Sequence, residues 1–555
     1  MFARFLVYTG LSFGLLACSE NTVPTPAKNP VILIKGNILT QNPEQPVVKS
    51  MAIKDGRILE IGNNLAFDEL ATARIVDLSG QTILPGFIDS HVHVRELGMD
   101  RIKANLVGVE TVGEIVRRLK HRFPNPTPGE WLIGQGWDEG AFASRGYPDR
   151  AALDVAFPDN PVALESLHGF GGFYNGKALE VAGITEDTPD PEVGDILRRP
   201  DGSPTGVMLT LAQDLIDKHI PKPSQAKLEE AIVAGLTEMA QAGVTSIHEA
   251  GMTPEDVSAF QALAERDDLP IRVYGLLDGN NTKLMQEWFT DGIADDPDDW
   301  LDIRGVKVFY DGSLGSRTAL LAEPYADQPD AARPTERMSP QDLQSLANRA
   351  AEIGYQMAVH AIGDEGNNRT LDIYETALDG RTDARWRIEH AQVVLPDYYD
   401  RAAKLGVLSS VQSSHAVGDS AWAEDRIGPE RIKHAYAWQR ILGAGAELML
   451  NSDLPGEPWT PMETLYFAVT RQKLDGTPEG GWYSDQALSV EEALKAMTIT
   501  NAYGAFQETE IGSLEIGKRA DFVVLDLDPT QISPSLLKDI NVTMTWVDGK
   551  PVFTQ

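Results

Sequence analysis

Two histidines one residue apart close the apolar run ILPGFIDSHVHV, residues 83–94. On a strand alternate side chains share a face, so Asp89, His91 and His93 project together while Ile88, Ser90 and Val92 turn away. Imidazoles at this spacing can converge on one divalent cation, zinc or a neighbour, although two histidines on a strand can also simply hydrogen bond in a core. Further polar residues occupy similar places in apolar runs: His248 in GVTSIHEA, His360 in QMAVHAIGD, His390 in RWRIEHAQ, His415 closing LSSVQSSH and Asp453 closing AELMLNSD. Six of the ten histidines thus fall at the ends of strand-like runs, a convergence that packing alone does not produce. Lys307, in GVKVFYDG, shares a strand face with Phe309 and Asp311 and should point inward. A bare buried ammonium is costly, so Lys307 is either paired with a carboxylate such as Asp311 or converted by carbon dioxide to a carbamate, an anionic ligand able to bridge two metals.

The elements that must hold these residues are eight apolar runs, beginning at Ile83, Gly243, Ile271, Gly305, Gln356, Arg385, Leu408 and Ala446. Amphipathic segments such as Lys227 to Ala242, Pro340 to Ile353, Gly366 to Leu378 and Pro396 to Leu405 separate several of them. Repeated βα units in this number predict an α/β fold, a closed TIM-like (β/α)8 barrel over residues 83–504, with chemistry at the carboxyl ends of its strands. The first two strands are separated by about 150 residues, far more than one helix needs. Residues 97–123 suit the regular helix, and residues 129–219, rich in Gly, Pro and aromatics, read as an inserted subdomain placed to wall the pocket. Trp137, Asp138, Tyr310, Arg317 and Tyr325 are candidate lining residues. Short alternating runs in residues 31–82 and 505–555 predict a small β-sandwich built from both termini.

With 555 residues, 42% of them apolar and 23% charged, the chain is globular and large enough for more than one core. Its 48 basic and 82 acidic residues leave a net charge of −34, which repels nucleic acid phosphates and anionic lipid surfaces and suits solubility in a salty or extracellular medium. Arg4 followed by the apolar stretch Phe5 to Ala17 reads as a signal peptide over residues 1–17. The sequence LLAC ending at Cys18 resembles a bacterial lipoprotein signal, so Cys18 is expected to carry a lipid and anchor the exported protein in the cell envelope, with residues 18–30 as a tether. Cys18 is also the only cysteine, which leaves histidine, carboxylate or modified lysine as metal ligands.

The motifs PGFIDSHVH, GVKVFYDGSLGSRTALL, VHAIGD, RIEHAQ and NSDLPGEP, with GQGWDEGAF in the insert and GSLEIGKRADFVVLDLDP near the end, together resemble the amidohydrolase superfamily, in particular its type 3 branch of N-substituted formamide deformylase-like hydrolases. The resemblance implies one or two divalent metals, zinc foremost, with His91 and His93 on one, His360 and His390 on the other, and Lys307 bridging as a carbamate. It makes Asp453 both ligand and proton shuttle and His168 a pocket residue reaching in from the insert. The implied reaction is hydrolysis of a non-peptide carbon–nitrogen bond by a metal-bound hydroxide. The same centre would serve an ester, lactone or phosphotriester, and a solute-binding lipoprotein is the alternative from another class. Leu167 before His168, and Ser413 where the family often has proline, depart from the pattern on the substrate side.

Overall fold

The computed structural model describes residues 30–555 except 67, 139–141, 143–145, 167–170, 192–193 and 332, so the signal peptide, Cys18 and His168 lie outside the described residues. Eight parallel strands follow one another around a barrel: β1 (Phe87–Val92), β2 (Val244–Met252), β3 (Arg272–Asp278), β4 (Leu301–Phe309), β5 (Gln356–Ala361), β6 (Arg387–His390), β7 (Leu408–Gln412) and β8 (Leu448–Asn451). The ring closes just past β8, where Asp453 N–H donates to the His91 carbonyl at 3.0 Å and His93 N–H to the Leu454 carbonyl at 3.2 Å. Closure therefore sets the strand ends that carry His91, His93 and Asp453 side by side.

The helices between strands start and stop where local chemistry dictates. Ser339 caps Pro340–Ile353 by accepting from Asp342 N–H, Pro340 occupies the first turn, and Gly354 ends the helix in the left-handed region at φ +99°. Thr253 and Asp256 form a capping box before Pro254–Glu265. The apolar faces of these helices cover the barrel in one continuous core.

Strands from both ends of the chain assemble into one continuous sheet of seven, in which the long strand Arg74–Pro85 runs parallel to Ile32–Leu39 and antiparallel to Phe522–Leu525. The predicted small sandwich is this single sheet, whose two arms share a core of Ile34, Met51, Ile58, Phe522 and Trp546. It is fastened to the barrel by the buried pair of Arg272 Nε and Asp521 Oδ2 at 2.6 Å.

Among the described residues the insert is built on a six-stranded sheet that starts at Ala104–Asn105, ahead of the residue 129 boundary read from the sequence. The helix Val112–Arg122 belongs to it rather than to the barrel, because Ile115 and Leu119 pack on Leu132 and Trp137 in the insert's own core. The chain enters the insert from helix α1 (Val94–Ile102) and returns through α2 (Gln225–Gln241). These helices touch backbone to backbone: a Cβ added at Gly98 would sit 1.7 Å from the Ala231 carbonyl oxygen, and one at Gly235 would sit 2.6 Å from that of Val94. Gly98→Ala is expected to force them apart and cost about 1–3 kcal/mol, the usual range for overpacking. An unchanged melting temperature would show that the contact yields freely.

Candidate metal centre

Asp453 is the hub of the rim. Its carboxylate lies 3.5 Å from His91 Nε2, 3.4 Å from His93 Nε2, 3.9 Å from His390 Nδ1 and 3.7 Å from His415 Nε2. The residue follows β8 in the left-handed region at φ +55°, a conformation aspartate tolerates better than most side chains. Asp89 fixes this turn from behind, its Oδ1 accepting from Ser452 N–H at 3.1 Å, so it serves as a brace rather than a ligand. Burial opposes charge on Asp453, but the facing imidazoles of His91, His93 and His390 outweigh it and hold the carboxyl well below its usual range.

Each inner imidazole is anchored through one nitrogen. His91 Nδ1 lies 2.6 Å from Glu389 Oε2, His360 Nε2 is 3.1 Å from the Gly312 carbonyl, and His390 Nδ1 is 2.9 Å from Gln412 Oε1. The Gln412 amide is itself oriented, since its Nε2 donates to Asn451 Oδ1 at 2.7 Å. Acceptors at these nitrogens place the protons there and leave the opposite lone pairs for a cation, the arrangement typical of metal-binding histidines. His91 Nε2, His360 Nδ1 and Lys307 Nζ are all buried without a hydrogen-bond partner among the described residues. Burial lowers the imidazole pKa of all three histidines, that of His390 to about 3, which keeps them neutral as ligands must be. The donor set therefore fits a divalent metal.

Two sets of donor atoms lie within 4.8 Å of one another, His91 with His93 and Asp453, and His390 with His415 and Asp453. The family resemblance pairs His390 with His360. In the structure His360 packs edge-on against His390 with ring centroids 4.4 Å apart, and His415 stacks on His390 at 5.8 Å. His415 reaches in from α3 (Ser413–Asp419), the helix that starts directly after β7. Lys307 points into the same space, as its strand face requires, over the Phe309 ring at 3.8 Å.

Some expected members stand elsewhere. His248 does not end its strand, because β2 continues to Met252, and it is buried below the rim. Trp137 is not a lining residue: it is buried in the insert core and donates from Nε1 to the Leu164 carbonyl at 2.9 Å. Arg317 pairs with Asp327 at 2.8 Å and the Tyr325 hydroxyl donates to the Ala319 carbonyl at 3.1 Å, so both shape the loop after β4. Glu389 and Gln412 went unnoticed in the sequence. Glu389 shares an i, i+2 face with Arg387, a signal that alternation could have supplied.

A closed barrel whose strand ends gather neutral imidazoles around one ionised aspartate is the architecture of a metal-dependent hydrolase. Residues 74–553 match the model of the amidohydrolase family. The chain belongs to that family. It is 31% identical to the putative amidohydrolase YtcJ of Bacillus subtilis, over 93% of this chain and 98% of that one. It is 28% identical to N-substituted formamide deformylase of Arthrobacter pascens, over 94% and 97%. The crystal structure of an uncharacterized metal-dependent hydrolase from Pyrococcus furiosus superposes with a TM-score of 0.74 at 30% identity, covering 90% of this chain and all of that one.

Proposed function

We propose that this enzyme hydrolyses a non-peptide carbon–nitrogen bond in a small amide, using one or two divalent cations, zinc foremost, with Asp453 as proton shuttle. The observation that carries the reading is the single Asp453 carboxylate set among four imidazoles at the barrel mouth. His91 and His93 would hold one cation and His360 and His390 the other, with Asp453 and a carboxylated Lys307 completing the set. A bound cation of this kind lowers the pKa of water to about 7 and polarises a carbonyl. Asp453 takes the proton released as the water oxygen bonds to the carbonyl carbon, then gives it to the nitrogen as the carbon–nitrogen bond breaks, so that acid and amine leave. His415, on the open side of the rim, is placed to donate to the carbonyl oxygen as its charge grows. Likeness to a protein named as a formamide deformylase supports the choice of bond.

A panel of small amides, esters, lactones and phosphotriesters assayed with metal-loaded protein tests this. Amide turnover is expected, with chelation lowering it by about 10²-fold or more. Turnover confined to esters, lactones or phosphotriesters would overturn the choice of bond, and tight binding without turnover would point to a solute carrier.

The anchor belongs to the same proposal. Cys18, the lone cysteine, follows the short apolar leader and precedes a tether rich in proline and threonine. Cys18→Ser is expected to move the protein from the membrane fraction to the soluble one or to block its processing. Unchanged fractionation of the variant would remove the anchor from the reading.

A further inference from the structure

We infer that Arg387 is a positioning residue that fixes the protons of two histidines at once, committing His91 to the rim and withdrawing His248 from it. The inference rests on the rim being a cation site. Arg387, Glu389, His91 and His248 are all fully buried inside the barrel. A guanidinium only donates hydrogen bonds, and an ionised carboxylate only accepts them. Arg387 Nε donates to Glu389 Oε1 at 2.7 Å, and Glu389 Oε2 faces His91 Nδ1 at 2.6 Å. With Arg387 keeping Glu389 ionised, the His91 proton must sit on Nδ1, which leaves Nε2 bare toward Asp453. Arg387 Nη1 lies 2.9 Å from His248 Nδ1. Because the guanidinium cannot accept, His248 Nδ1 is the acceptor and its proton is on Nε2.

One side chain thus imposes opposite tautomers on two imidazoles. Arg387 Nη2 also donates to the Ser90 carbonyl, between Asp89 and His91, so the same group holds the β1 backbone in place. His248 has both nitrogens used, one by the guanidinium and one by its own proton, and offers no lone pair to a cation. In keeping with this, the second strand's histidine, which its spacing groups with the others, lies outside both donor clusters of the described residues. A lysine could not substitute, since one ammonium cannot span three acceptors held in a fixed fork.

The proton positions can be read without metal or turnover, by nitrogen NMR of the apoprotein labelled at histidine, with the signals assigned through His91→Gln and His248→Gln. His91 is expected protonated at Nδ1 and His248 at Nε2. The double variant Arg387→Met, Glu389→Gln removes both buried charges together, so neither is left alone. It is expected to keep its melting temperature within a few degrees, to lose the defined His248 tautomer, and to bind cobalt(II) about 10–100-fold more weakly, the usual cost of losing an outer partner. Arg387→Lys should not restore the affinity. An Nε2 proton on His91 in the native apoprotein, or native cobalt affinity in the double variant, overturns the inference. Should the double variant fail to fold, the native tautomers still decide. Native protein that binds no cobalt at all would sink the cation site instead, and the tautomer readout keeps the two failures apart.

Discussion

Asp453→Asn is expected to lower kcat by about 10² or more while much of the metal stays bound. Asparagine has the same shape and, like aspartate, accepts the left-handed backbone that this position adopts at φ +55°, so the turn after β8 should survive. The Asp89 contact to Ser452 N–H is to the backbone and is unaffected by the change. What disappears is the charge and the ability to carry a proton. An amide nitrogen leaves poorly unless protonated, so the deficit should fall on kcat and be larger for amides than for activated esters, whose leaving groups need no proton. If Asp453 serves only to shape the turn, kcat at matched metal content should be near native across the pH range. That outcome would end its assignment as the shuttle.

Lys307→Ala is expected to lose at least one cation per chain and to lower kcat/KM by about 10²-fold or more, with partial rescue by a short carboxylic acid. Pairing with Asp311, the alternative suggested by their shared strand face, is not the arrangement found. Asp311 is engaged by the backbone N–H groups of Leu320, Ile362 and Gly363 at 2.9–3.0 Å. Among the described residues Lys307 Nζ is left buried with no hydrogen-bond partner, and burial lowers its pKa to about 8. A lowered pKa enlarges the neutral fraction, the form that reacts with carbon dioxide. The second test is stability: a buried amine held only over the Phe309 ring, with no hydrogen bond, is a burden, so Lys307→Met should leave the melting temperature of the metal-free protein unchanged or raise it. Full occupancy by elemental analysis and normal turnover in Lys307→Ala would show the lysine to be a packing element.

Barrel strands were legible because parallel strands buried on both faces are written as apolar runs, and polar residues in such runs stand out. Alternation brought His91 and His93 together correctly, and it placed Lys307 inward. It could not place Glu389 and His390 together, since successive residues of a strand face opposite ways. The backbone breaks that rule at His390, which adopts φ +76° and turns its ring to the rim against His91 and His360. Non-glycine residues in this region are costly and gather at functional sites. His248 was misplaced by a strand boundary, and the start of the insert was missed because its first strand has only two residues. That strands of both termini assemble into one unit was read from the sequence, but not that they form a single seven-stranded sheet, since which strands pair across a whole chain is not written in local pattern.

The glycine contacts between α1 and α2 have a consequence for how this enzyme could have diversified. Everything from Ala104 to the start of α2 is an excursion whose two ends are pinned where the helices meet. Because those ends are already neighbours, closing the loop costs almost the same whether the excursion is long or short. His93, at the amino end of α1, stays in register whatever hangs beyond its carboxyl end. The insert can therefore be lengthened, rebuilt or exchanged by evolution without resetting the histidines of the barrel rim, much as a tool bit is changed in a chuck.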